Sequence, residues 1–237
     1  MFLNRFYSEK NGVVQISAQQ ASSFAKDISG DFNSIHDPGN KSYCVPGDLL
    51  FALVLDKYGL SRKMRFIFSG MVRDGTDLLF PDLPGDQFAI TDRKDKSYLQ
   101  VERNGETSLN AYLIEKLTRN YVAFSGQNFP HILVPLMAEH QVMINPARPL
   151  VIYDSMSFAL DHLTVTEPRL DLTETTLEII GKRAEARLYF QIHENDQQIG
   201  TGFKKLILSG LRPYEEATIQ ELSEIYLARR DAYRSAP

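Results

Sequence analysis

Residues 46 to 59 read PGDLLFALVLDKYG, and this stretch limits the fold more than any other. Pro46 suits the opening of a helix, Gly59 can close it, and the residues between are apolar almost all round. A helix without a polar face has to be surrounded by protein. The chain after it supplies the cover: residues 64–73, 77–81, 87–92 and 96–103 read as strands, with Asp74-Gly75 and Asn104-Gly105 as hairpin turns. The expected class is α+β, a buried central helix with an antiparallel sheet around it.

The pattern recurs. Residues 109–124 set Leu113, Leu117, Tyr121 and Phe124 on one helical face and run into SGQNFPH, which echoes SGDFNSIH at residues 29–36. VPLMAEHQVMI then parallels VPGDLLFALVL, and strands follow at 151–160, 175–181, 184–193 and 198–208. Residues 216–233 read as a terminal helix with Ile219, Leu222, Tyr226 and Tyr233 on a partial apolar face. The expected organisation is an N-terminal unit over 1–108, a C-terminal unit over 109–212 and a helix over 213–237.

Composition narrows the function. A formal net charge of -4 and no Lys/Arg run give no field to attract nucleic acid. Cys44 is the only cysteine, so neither an internal disulfide nor a thiolate zinc cluster is available. MFLNRFYSEK lacks a signal-peptide core, and Leu49 to Leu55 is too short to span a bilayer. The expectation is a soluble, cytoplasmic protein that engages neither nucleic acid nor membrane.

The chemistry-bearing stretch is SGDFNSIH. Ser17 and Gln20 form a capping-box pattern, and Ala21, Phe24, Ala25 and Ile28 carry helical spacing to Gly30. Asp31, Asn33 and His36 therefore fall on a loop at a helix end, where reactive groups are often presented. Two readings stay open on the residues alone: a turn in which Asp31 and Asn33 bind backbone N–H groups and His36 packs, or an acid and a base facing one substrate.

QQASSFAKDISGDFNSIHDP, followed by the buried Val-Pro-Gly helix, resembles the MaoC-like enoyl-thioester hydratases and dehydratases, a hot-dog fold family with an Asp-x-Asn-Pro-x-His motif and a His-Gly before the central helix. The chain also resembles an uncharacterised bacterial family of similar length. The resemblance is detailed over residues 13–60, and elsewhere rests on the order of elements. It implies a double hot-dog, two antiparallel sheets each wrapping a buried helix, and interconversion of trans-2-enoyl and (R)-3-hydroxyacyl thioesters. His36 would take a proton from water, and Asp31 would orient that water and exchange the α-proton. Asn33 and Ser29 would support the loop, and the Gly47 N–H would receive the thioester oxygen.

No cofactor is implied; coenzyme A or acyl carrier protein would carry the substrate, and homodimerisation stays open. Ser34 stands where the motif has proline, and Pro46 where it has histidine. Asp48 is either a first-turn carboxylate that favours its helix or an obstacle beside the oxyanion site.

The second copy of the motif departs further, with Gln127 for the acid and Leu136 for the glycine, though His131 aligns with His36 across one gap. His140, His162 and His193 show no metal-ligand spacing and are assigned to surface or packing, and Cys44 to packing. Lys63, Arg65 and Arg148 are candidate contacts for coenzyme A phosphates. A non-catalytic acyl-thioester or lipid-binding protein and an acyl-CoA thioesterase remain the competing functions.

Overall fold

The structure is a computed structural model describing residues 2–235. The N-terminal half holds strands β1 (Ser8–Lys10) and β2 (Val13–Gln15), helices α1 (Ala18–Phe24) and α2 (Gly47–Tyr58), and strands β3 (Leu60–Phe68), β4 (Leu78–Leu79), β5 (Gln87–Thr91) and β6 (Ser97–Ser108). Helices α3 (Ala111–Gly126) and α4 (Leu133–Glu139) follow. Strands β7 (Val142–Met143), β8 (Val151–Leu160), β9 (Arg169–Ile180), β10 (Arg183–Glu194), β11 (Gln197–Ser209) and β12 (Arg212–Pro213) and helix α5 (Glu216–Ser235) complete the chain.

Ten strands form one antiparallel sheet in the order β1, β2, β4, β5, β6, β3, β8, β11, β10, β9, while β7 pairs with β12 apart from it. The class is α+β as expected, but the strands make one large sheet where two were expected. The halves meet where β3 pairs with β8, from Lys63 opposite Ala159 to Ile67 opposite Ser155. Met64 faces Phe158 and Phe66 faces Met156 across this seam, and all four are buried. These side chains are direct cross-strand neighbours, and such pairs stabilise a sheet.

Asn104-Gly105 does not turn a hairpin; both residues lie within β6. Ser61 pairs with Thr107 and Lys63 with Asn104, so two β6 residues oppose Arg62, and Gly105 takes a φ of 84°. This is a β-bulge whose extra residue is absorbed by a glycine at positive φ. A hairpin turn makes the same demand on φ, so the two share a sequence signal. Asp74-Gly75 does form a turn, but it leads from β3 to β4, which are not neighbours in the sheet.

Helix α2 begins at Gly47 with Pro46 as its cap residue, ends against Gly59, and is buried from Asp48 through Leu55. It packs on α3 and β3 within the larger apolar cluster. The expected second central helix is the shorter α4, which buries Leu133, Leu136 and Met137 in a separate cluster with Leu188, Leu206 and Ile219.

Candidate active site

Helix α1 starts with the expected capping box, Ser17 and Gln20 each bonding the other's backbone N–H. Its last turn widens to a π-helical turn over Ala25–Ser29, closed by Gly30 at a φ of 66°. Such turns displace the chain that follows and recur at functional sites. Here the π turn lies against the end of α3, where Gly126 meets the Ser29 carbonyl oxygen so closely that a Cβ would stand 1.9 Å from it.

The loop beyond is held by its own polar groups. Asp31 N–H donates to the Ala25 carbonyl at 2.8 Å. Asp31 Oδ1 accepts from Asn33 N–H at 2.8 Å, and Asn33 Oδ1 accepts from Ile35 N–H at 3.1 Å, opening the 3-10 turn Ser34–His36. The turn reading of these residues is therefore real, yet it uses only one oxygen of Asp31. Asp31 Oδ2 faces His36 Nε2 at 3.5 Å, while His36 Nδ1 lies 2.8 Å from the Cys44 carbonyl oxygen. A carbonyl only accepts, so Nδ1 carries hydrogen and Nε2 is the ring atom turned toward Asp31 and the cavity.

Burial alone would strip the proton from His36, but the Asp31 carboxylate and the Cys44 carbonyl outweigh it and raise the pKa to about 10. Burial would likewise raise the Asp31 carboxyl; the His36 contacts, the Asn33 N–H and the Lys204 charge overcome it, and the pKa falls below the ordinary carboxylate value. The pair is held as carboxylate and imidazolium.

Gly47 and Asp48 open α2 on the same cavity. A Cβ on Gly47 would lie 3.0 Å from both the Phe68 and Tyr153 rings, so a side chain there would press on the aromatic wall. Asp48 turns toward α3, where the Ser125 hydroxyl donates to its Oδ2 at 2.6 Å. Lys204 Nζ donates to Ser125 Oγ and, at 3.2 Å, to the Ser125 carbonyl. Burial pushes the Asp48 carboxyl up, opposed in part by Lys204 and Ser125, and pushes the Lys204 amine down, opposed in part by Asp48 and Asp31. Asp48 Oδ1 and Ser29 Oγ are buried without hydrogen-bond partners among the described residues.

These groups line one cavity of about 590 Å³. Its walls are largely apolar, including Phe68, Phe129 and Leu206, and Leu222, Ile225 and Tyr226 reach it from α5. The Tyr226 hydroxyl accepts from Phe32 N–H at 3.0 Å and lies 3.5 Å from Asp31 Oδ1, tying α5 to the loop.

Asp31, Asn33, His36, Gly47, Asp48 and Ser29 thus all reach this one cavity. Cys44 also lines it, half-buried, and its backbone carbonyl orients His36. The second-half residues do not join them: His131 is exposed and Leu136 packs in the cluster around α4. Lys63 and Arg65 line a different depression, and Arg148 is exposed next to the cavity-lining Pro149.

Sequence reasoning missed Ser125, Lys204 and Tyr226. Lys204 had a readable signal, since it shares the strand parity of Leu206 and Leu208, whose side chains face inward. A lysine on the buried face of a strand needs a partner or a task.

A family model described as "Protein of unknown function (DUF3581)" matches residues 1–217. No curated protein sequence matches the chain. Among solved structures the chain is similar to an acyl-CoA thioesterase II, TesB2, from Mycobacterium marinum, at 9% identity and a TM-score of 0.44, over 91% of this chain and 99% of that one. It is similar to the full-length peroxisomal multifunctional enzyme type 2 from Drosophila melanogaster at 10% identity and a TM-score of 0.44, over 82% of this chain and 47% of that one. It is also similar to the 12:0-ACP thioesterase from Umbellularia californica at 9% identity and a TM-score of 0.31, over 84% and 88% of the two chains. At such scores the likeness adds nothing to the chemistry of the site.

Proposed function

The chain belongs to the family described as Protein of unknown function (DUF3581), and we propose, from the site together with the resemblance of its loop to the MaoC-like hydratases, hydration of trans-2-enoyl thioesters to (R)-3-hydroxyacyl thioesters, and the reverse. The observation that carries this reading is the Asp31–His36 pair, with Oδ2 and Nε2 3.5 Å apart on the wall of an apolar cavity. Environments that push two pKa values apart mark a base and an acid. The cavity, about 590 Å³, is of the size that small-ligand sites take.

In this mechanism Asp31 takes a proton from a water molecule as the water oxygen bonds to the β-carbon. His36 gives its Nε2 proton to the α-carbon, and the proton on Asp31 then passes to His36 to restore the pair. The ionisation of the two groups thus exchanges the roles that the family resemblance assigns to them. Gly47 opens α2, and N–H groups in the first turn of a helix lack intrahelical partners and point at negative charge. They would receive the thioester oxygen as it gains charge. Asp48 is bonded through Ser125 to Lys204.

We read the chain as two hot-dog units, 1–108 and 109–212, with the chemistry in the first and the acyl wall shared with the second and with α5. Coenzyme A or acyl carrier protein would carry the acyl group.

The test is loss of enoyl-thioester absorbance with crotonyl-CoA and longer enoyl-CoAs. Turnover that falls by ~10²–10⁴ in both Asp31→Asn and His36→Ala supports the assignment. Absence of turnover at every chain length, with acyl-CoA still bound, would replace it with a binding function.

A further inference from the structure

The Asp31–His36 pair leaves a second group of polar side chains in the same cavity without a task. Ser125 sits in the last turn of α3, Lys204 on the inward face of β11, and Asp48 in the first turn of α2. All three are buried, at 2%, 3% and 7% exposure, and all three line the cavity. Three elements far apart in sequence therefore converge on one hydroxyl oxygen: Ser125 Oγ contacts Asp48 Oδ2 at 2.6 Å and Lys204 Nζ on another side.

We propose that Ser125 is an acyl-accepting nucleophile with Lys204 as its base, so that the cavity also cleaves saturated acyl thioesters. This is a different reaction from hydration and uses none of the loop residues. A serine hydroxyl becomes a useful nucleophile when a positioned base can take its proton, and a desolvated lysine is one of the bases that serve. Lys204 meets the structural requirement: its Nζ touches Ser125 Oγ and lies 4.2 Å from the centroid of the Tyr153 ring, in the same cavity wall. Burial pushes the Lys204 amine down and the Asp48 carboxyl up, and the first of these shifts is the direction a base at Lys204 requires. Asp48 accepts the Ser125 hydroxyl hydrogen in the resting arrangement and so acts as a positioning residue; the hydroxyl turns from it toward Lys204 Nζ for the transfer.

In the acylation step a bond forms between Ser125 Oγ and the thioester carbonyl carbon, and the hydroxyl proton passes to Lys204 Nζ. The carbonyl oxygen carries the negative charge and meets the N–H groups at the start of α2. The carbon–sulfur bond breaks, and the leaving thiolate takes the proton from Lys204. Water then attacks the Ser125 ester, giving one proton to Lys204 as its oxygen bonds to the carbonyl carbon. The ester bond breaks, Ser125 Oγ regains that proton, and a free carboxylate and a solvent proton are released. Acyl thioester and water are consumed; carboxylate, proton and free thiol are formed.

Saturated acyl-CoA isolates this step because it has no double bond to hydrate. The experiment offers butyryl-, octanoyl- and palmitoyl-CoA to the full chain, follows free thiol, and maps acyl adducts by mass spectrometry. Thiol release that falls by ~10²-fold or more in Ser125→Ala and Lys204→Met is the expected result. Circular dichroism and melting check that each variant is folded. Ser125→Cys gives a second readout independent of Lys204 replacement: a thiol at this position is expected to retain an acyl group on the peptide carrying residue 125.

Release unchanged in folded Ser125→Ala overturns the proposal. So does the absence of both release and adduct at all three chain lengths, including in Ser125→Cys. Enoyl hydration is read separately, so either activity can fail without the other.

Discussion

Gly126 and Ser29 are in backbone contact: a Cβ on Gly126 would stand 1.9 Å from the Ser29 oxygen and 2.7 Å from its carbonyl carbon. No rotamer relieves a clash with backbone, so one element has to move. The contact fixes the end of α3, which carries Ser125, against the π turn that carries Asp31 to the cavity. Gly126→Ala is expected to destabilise the fold by ~1–3 kcal/mol, as overpacking does. Denaturant midpoints measure the loss, and a fall in enoyl-CoA turnover beyond that accompanying Ser29→Ala shows that the loop has shifted.

The Asp31–His36 pair predicts a direction for stability against pH. His36 is raised from 6.5 to about 10, so its contribution is full below 6.5 and is lost as pH rises toward 10. Asp31 is lowered from 3.8, so its contribution is present above 3.8 and is lost as pH falls through the depressed value. The pair therefore stabilises most between these limits. Melting temperatures measured from pH 6.5 to 10 are expected to fall in the wild type, and to fall less in His36→Gln. Nitrogen chemical shifts of His36 that titrate near 6.5 would contradict the pairing.

Removing one member of the buried Asp48–Ser125–Lys204 group leaves buried polar atoms of the others without a partner. Lys204→Met is expected to lose ~1–3 kcal/mol, the range for leaving a buried polar group unsatisfied. Asp48→Asn combined with Lys204→Met is expected to recover part of that loss. A strictly additive double variant, measured by chemical denaturation, would show that the two groups do not couple.

Tyr226→Phe removes the oxygen that accepts from Phe32 N–H. The expected change is about 1 kcal/mol in stability, the ordinary worth of such a bond. Turnover is expected to fall more than binding, because the hydroxyl also lies 3.5 Å from Asp31 Oδ1. Equal effects on kcat and acyl-CoA affinity would assign Tyr226 to the wall of the cavity alone.

Much of the fold was legible because local rules and tertiary packing agree. The apolar run after Pro46 is α2, and residues 151–160 are the strand β8 as expected. The Ser17–Gln20 capping box forms as expected. Asn104-Gly105 misled because positive φ serves a turn and a bulge alike. The joining of both halves into one sheet was not legible, since nothing local in β3 or β8 specifies its partner. For the site, SGDFNSIH announced the loop, and the structure brings Asp31 and His36 together. Ser125 and Lys204 stand 79 positions apart and carry no motif; only folding reveals that they meet.

The seam between β3 and β8 governs how the molecule is able to move. Its backbone ladder runs from Lys63–Ala159 to Ile67–Ser155 and continues on either side into the long strands β6 and β11. A hinge between the halves would have to break that ladder, so the halves behave mechanically as a single stiff beam. Helix α5 lies outside that ladder and joins the loop through side-chain contacts, among them Tyr226 to Phe32 and Arg229 to Asp37. Helix α5 forms one side of the cavity, so substitutions at Leu222, Ile225 and Tyr226 alter its lining without disturbing the beam that sets the positions of the reacting groups.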